Sequence, residues 1–222
     1  LMPYLMQAIR LFEQGVDIQR IDQAMEHFGM PMGPLRLIDE VGLDVAQHVG
    51  TDLSQRLGHL PAASDILKLM IDQSWLGKKK GKGFYDYSHT NKKRQPAINH
   101  HVEPFRNVSE HRYMDDKEIQ ERLVLLMINE AARCLEEGVV QAPSDVDFGM
   151  IMGTGWAPFR GGPLRYADAF GLSGIVRSLK QFEKDAPLYK PAHKLKQMAN
   201  EGRKFYSNHS HSTPNPELTS TK

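Results

Sequence analysis

Gly33-Pro34-Leu35-Arg36-Leu37-Ile38-Asp39-Glu40-Val41-Gly42-Leu43 decides the fold, because its skeleton occurs twice. Gly162-Pro163-Leu164-Arg165, Asp168 and Gly171-Leu172 repeat it 129 positions further on. The glycine permits a tight or positive-φ corner, the proline presets φ for a first helical position, and the leucine turns into a core. Working outward, Ala8, Arg10, Glu13 and Gly15 recur as Ala131, Arg133, Glu136 and Gly138, at an offset of 123. The six extra residues between the two blocks fall around the glycine-rich turn of the second half, where a loop can grow without disturbing helix packing. The chain therefore reads as two copies of one helical unit. Asp39 and Asp168 each sit three residues after an arginine, a spacing that allows a same-face ion pair.

Hydrophobic spacing supplies the elements. Tyr4, Leu5, Ala8, Ile9, Leu11 and Phe12 predict a first helix stopped at Gly15. Asp17 can cap a second, which carries Ile21, Ala24, Met25 and Phe28 and ends near Gly29 before the stiff turn Met30-Pro31-Met32-Gly33-Pro34. An apolar pattern runs from Pro34 to Ala46 with an interruption at Gly42, and another helix is expected around Ala63 to Ile71. In the second half Ile119, Leu123, Met127, Ala131 and Cys134 trace one face of a long helix ending at Gly138. Ser144 or Asp145 can cap the next, the turn Gly153 to Pro163 precedes a helix from Leu164, and a last helix is expected near Ala192 to Ala199. Between the halves, a basic glycine loop at 77–83 feeds the extended aromatic stretch Phe84-Tyr85-Asp86-Tyr87, and residues 88–115 are polar with little periodicity. The expected organisation is a first helical domain at 1–100, a linker at 101–115, a second copy at 116–206 and a disordered tail at 207–222.

Composition excludes several classes. A chain of 222 residues with 40% hydrophobic and 25% charged residues is long enough for one large core or two small ones. A net charge of +1 gives no global field toward nucleic acid or an anionic membrane. The longest aliphatic run, Leu123 to Ile128, is far below the roughly 20 residues a membrane span needs. One cysteine, Cys134, rules out an internal disulfide framework, and its neighbours Met127 and Ala131 make it a structural thiol rather than a nucleophile. The ten histidines show no partnered ligand spacing, so no metal site is expected. The lysine loop at 77–83 lacks the order of a P-loop, and no Gly-x-Gly-x-x-Gly follows an apolar strand. That loop reads as a solvated surface, with an acidic ligand or partner as the alternative. The apolar opening Leu1-Met2-Pro3-Tyr4-Leu5-Met6 suggests a preceding domain.

The order of Met2-Pro3-Tyr4, Ile21-Asp22, Gly29 to Pro34, Gly81-Lys82-Gly83-Phe84-Tyr85, Asn129-Glu130-Ala131 and Gly153-Thr154-Gly155-Trp156-Ala157-Pro158-Phe159 with Gly161-Gly162-Pro163 carries a resemblance over about residues 1 to 206. It resembles the C-terminal region of L-3-hydroxyacyl-CoA dehydrogenases, as duplicated in multifunctional fatty-acid oxidation complex alpha subunits. The resemblance implies an all-α fold of two related helical bundles, of the 6-phosphogluconate dehydrogenase C-terminal kind, that follows an NAD-binding Rossmann domain and completes its cleft. It implies oxidation of a 3-hydroxyacyl-CoA substrate in β-oxidation, with NAD bound by that upstream domain and neither cofactor nor catalytic residue in this chain. Met152, Gly153, Trp156, Pro31 and Met32 are the expected substrate-side residues; a family tyrosine contact falls on Met152, which lacks the hydroxyl. Implied partners are the acyl-CoA, the chain's own Rossmann domain and a thiolase subunit or second copy. The implied compartment is bacterial cytoplasm, with mitochondrion or peroxisome as alternatives. The competing reading is a helical oligomerisation module without a catalytic role.

Overall fold

The computed structural model describes residues 1–62, 64–88, 96–106 and 113–206. Among them the first half supplies α1 (Met2–Glu13), α2 (Ile18–Phe28), α3 (Pro34–Val41), α4 (Leu43–Arg56) and α5 (Asp65–Asp72). The second half repeats the series as α6 (Asp116–Glu136), α7 (Pro143–Thr154), α8 (Pro163–Phe170), α9 (Leu172–Glu183) and α10 (His193–Asn200). The one sheet among the described residues is antiparallel, β1 (Tyr85–Asp86) against β2 (Ala97–Ile98). The fold is all-α.

Local chemistry sets the helix limits. Asp17 caps α2 by accepting from the Gln19 and Arg20 N–H groups at 2.8 and 3.3 Å, and Gly29 ends the helix in the left-handed region at φ 112°. Gly42, at φ 103°, divides the expected apolar pattern into α3 and α4. At α7 the N-cap is Ala142 rather than Ser144 or Asp145, and the Asp145 carboxylate accepts from the Ala142 N–H at 3.3 Å.

The core is shared. Most buried apolar residues from Tyr4 through Met198 form one contiguous cluster, with Ala131, Val146 and Leu164 as a small second one, and α6 lies at the centre, against α1, α2, α8 and α10. Arg122 to Asn129 are buried without a break, so the middle of α6 is enclosed on all sides rather than along the single stripe its spacing suggested. Each fully buried Leu, Ile or Met there contributes about 1.5–3 kcal/mol. Arg122 is tolerated because Glu118 and Asp185 pair with it at 3.1 Å and its guanidinium lies over the Phe182 ring at 4.3 Å.

Part of the polar stretch 88–115 is structure of the first half rather than linker. β2 pairs with β1, Asn99 donates to the Gly83 carbonyl at 2.7 Å, and a 3-10 helix over His100–Phe105 buries Val102 completely. Single apolar residues at Ile98, Val102 and Phe105 anchor it without leaving a periodic signature. Ala63, residues 89–95 and 107–112, and the tail from Ser207 lie outside the described residues.

Candidate functional site

The two copies are built around the same carboxylates. In the first, Pro34 brings no N–H to the start of α3 and Gly33 offers no capping side chain, so the N–H groups of Leu35 and Arg36 need an acceptor from elsewhere. Asp22 of α2 supplies it, at 2.8 and 3.0 Å. In the second, Asp147 of α7 accepts from Leu164 and Arg165 at the same two distances. Asp39 then accepts from the Phe84 and Tyr85 N–H groups, and Asp168 from those of Phe205 and Tyr206, all at 2.9 Å. This corrects the helix-face role expected for Asp39 and Asp168: both are buried, and their oxygens hold a distant aromatic segment. Burial pushes the Asp22 and Asp39 carboxyls up to about 7, against the pull of these hydrogen bonds. Gly33 is fixed by the same contact, since a Cβ there would overlap the Asp22 side chain.

Those braces hold the corner Met30-Pro31-Met32 against α1 and the end of α7. Between them lies an apolar cleft of about 300 Å³. Tyr4 of α1, Leu37 and Val41 of α3, the corner itself and Gly153 to Gly155 form its walls, and Leu1 stands at its edge. No charged side chain lines it. The cleft brings together Pro31, Met32 and Gly153 of the five residues singled out in the sequence. Met152 stands beside them at 70% exposure, outside the lining, and Trp156 is wholly buried behind the turn. Trp156 meets the rings of Phe28 and Tyr166 edge-on, at 5.5 and 6.0 Å.

The turn from Gly155 to Gly161 interlocks the copies at this point. Arg160 donates to the Phe28 carbonyl at 2.8 Å and lies over the Phe28 ring at 4.0 Å, while Gly155 and Gly29 approach Pro31 and Phe159 too closely for any side chain. At the lysine loop, Lys78 pairs with Glu40 at 2.8 Å and Lys79 with Asp44 at 2.5 Å, which engages two of its charges within the first copy. Cys134 is half-buried, and burial raises its thiol above the ordinary value. Sequence reasoning missed Asp22, Asp147, Tyr85 and Tyr206. The apolar-Asp pair Ile21-Asp22 and Val146-Asp147 was its available signal, at an offset of 125.

An all-α protein made of two copies of a five-helix unit, with an apolar cleft at the start of its first helix, defines the class. The family model described as "3-hydroxyacyl-CoA dehydrogenase, C-terminal domain" matches residues 1–87 and again 119–210. The chain belongs to that family, twice over. It is similar to the fatty acid oxidation complex subunit alpha of Vibrio vulnificus, 37% identical over 209 residues, covering 94% of this chain and 29% of the relative. The Shewanella amazonensis protein of the same name is 41% identical over 207 residues, at 91% and 29% coverage. Among solved structures, the dehydrogenase part of multifunctional enzyme 1 from C. elegans has a TM-score of 0.65 at 29% identity, covering 88% of this chain and 45% of that one. The 3-hydroxybutyryl-CoA dehydrogenase of Escherichia coli K12 has a TM-score of 0.69 at 20% identity, covering 90% and 58%, and shares the fold. The chain thus spans 29% of the length of these curated relatives.

A nicotinamide dinucleotide does not fit the residues described. Their one sheet has two strands of two residues, and no glycine-rich strand-to-helix turn cradles a pyrophosphate. Among the described residues no helix is long and apolar enough to cross a membrane.

Proposed function

We propose that this chain is the substrate-side region of an NAD-dependent L-3-hydroxyacyl-CoA dehydrogenase of fatty-acid β-oxidation. The observation that carries the reading is the uncharged cleft at the start of α1, where Pro31 and Met32 of one copy face Gly153 of the other. Such a cleft binds and orients the apolar part of an acyl thioester and excludes water from it. Its lining side chains include no carboxylate, imidazole, thiol or amine, and on this reading the reacting groups and the dinucleotide belong to polypeptide outside these 222 residues. The length of the relatives supports that division. Their bacterial sources favour a cytoplasmic enzyme.

The test is a steady-state assay of the whole gene product with NAD and L-3-hydroxyacyl-CoA, beside the 222-residue chain alone. The whole product should turn over, and Met32→Glu within it should raise KM for long acyl chains far more than it lowers kcat. Turnover by the 222-residue chain alone would overturn the division.

A role in assembly rests on a separate observation. Phe148 and Met152 lie one turn apart on α7 and are 68% and 70% exposed. Apolar residues grouped in this way fit a contact with a thiolase subunit or a second copy. Sedimentation of the chain at high concentration tests the second of these: Phe148→Lys should shift any dimer to monomer.

A further inference from the structure

We infer that the second copy carries a ligand site of its own, for a molecule with a linear apolar tail and an anionic head. The site is a cavity of about 280 Å³ between α6, α8 and α9. It is the internal counterpart of the first cleft. Val124 on its floor stands 123 positions after Leu1, and Tyr166 and Phe170 stand 129 after Leu37 and Val41, the offsets that relate these helices elsewhere. Each cavity is closed by the end of the other copy's second helix: Phe28 of α2 here, Gly153 and Thr154 of α7 there.

The two differ where their ligands would enter. Aromatic rings replace aliphatic side chains, and the first turns of α6 add a polar rim of Lys117, Gln120 and Glu121. Gln120 is engaged by the Ala24 carbonyl at 2.8 Å, and Glu121 accepts from the Ser178 hydroxyl at 2.5 Å. Lys117 is exposed and joins none of the ion pairs found among the described residues. The rim thus carries one charge of each sign, and with the Glu121 carboxylate held by Ser178 it is Lys117 that is left to meet a head group, which selects an amphipathic anion, a fatty carboxylate or the acyl ester of a phosphorylated carrier. The site shares no lining residue with the first cleft, so either can fail without the other.

Calorimetric titration of the 222-residue chain tests it, with dodecanoate and dodecanoyl-CoA below their micelle concentrations and dodecyltrimethylammonium as the cationic control. Saturable binding is expected for at least one of the two anions, and whichever binds more tightly identifies the head group. Lys117→Glu should weaken it by about fivefold or more and raise the affinity for the cation. Phe170→Asp should weaken it by about tenfold. Both positions are exposed, so the fold is retained, which an unchanged melting transition would show. Met32→Glu, in the first cleft, should leave this binding intact. No saturable binding of either anion overturns the proposal. So does binding that Lys117→Glu and Phe170→Asp leave unchanged, or that Met32→Glu abolishes.

Discussion

The Tyr85 hydroxyl donates to the Asp22 carboxylate at 2.6 Å across 63 positions of sequence, and Tyr206 makes the same bond to Asp147 at 2.7 Å. In each copy one tyrosine thus joins both buried carboxylates, because its N–H is held by Asp39 or Asp168 and its hydroxyl by Asp22 or Asp147. The duplication extends to individual hydrogen bonds. Removing the hydroxyl leaves a buried acceptor short of a donor, so Tyr85→Phe should destabilise by about 1.5–3 kcal/mol. Tyr206 lies in a more open setting, and Tyr206→Phe should cost less than Tyr85→Phe. Urea denaturation of the two variants checks the order; equal losses would refute it.

The carboxylates make stability depend on pH in an unusual direction. Burial raises Asp22 and Asp39 to about 7 in the folded chain, above the ordinary carboxylate value of roughly 3.9 expected when unfolded. The folded state therefore holds protons that the unfolded state has released. Their contribution is fully present below about pH 4 and is lost as pH rises through about 7, at up to ~1.4 kcal/mol per pH unit for each group. Asp39→Asn should lower stability at pH 5 and flatten the slope between pH 5 and 7 relative to the parent. Parallel slopes in the two proteins would show that Asp39 does not titrate there.

Glycines at the corners separate steric from conformational cost. A Cβ at Gly33 would lie 2.1 Å from the Asp22 side chain although φ there is an ordinary −71°, whereas Gly171, at φ 98°, has open space around it. Gly33→Ala should cost about 3 kcal/mol or more, and Gly171→Ala about 1–2 kcal/mol from backbone strain alone. Gly153, helical and with nothing near its Cβ position, should accept alanine without loss. Thermal melts of the three variants give the ranking, and a Gly171 variant as damaged as the Gly33 one would contradict it.

The fold was legible because the corner is written twice in residue types that permit few alternatives. Gly-Pro followed by Leu, with a second glycine eight residues after the proline, fixes where α3 and α8 begin and end whatever surrounds them. The carboxylate braces were less visible. The offset between copies drifts from 123 at the first helix to 125 at Asp22, 129 at the corner and 121 at Phe84-Tyr85, so no single alignment shift shows all four. A buried Asp also looks like a surface Asp when its partners are backbone N–H groups far away in sequence. The cleft was partly legible: Pro31, Met32 and Gly153 meet there, while the large aromatic of the same motif, Trp156, turns inward to the Phe28 and Tyr166 rings. Periodicity marks which residues avoid water but not which of them face a cavity.

Arg160 is the residue on which the two copies lock. Its Nε donates to the last carbonyl of α2, an acceptor that the helix itself leaves unmatched, and its guanidinium carbon lies over the Phe28 ring at 4.0 Å. A positive charge at a helix C-terminus adds to both. Arg160→Ala should therefore destabilise by about 1–2 kcal/mol in urea. Arg160→Lys should recover less than half of the loss, since an ammonium cannot stack flat on the ring while donating sideways to the carbonyl. The core runs unbroken through both copies, so unfolding should stay a single transition in each variant. Lysine performing as well as arginine would reduce Arg160 to a surface charge, and two transitions in the alanine variant would mean that the copies are held together at this turn rather than through α6.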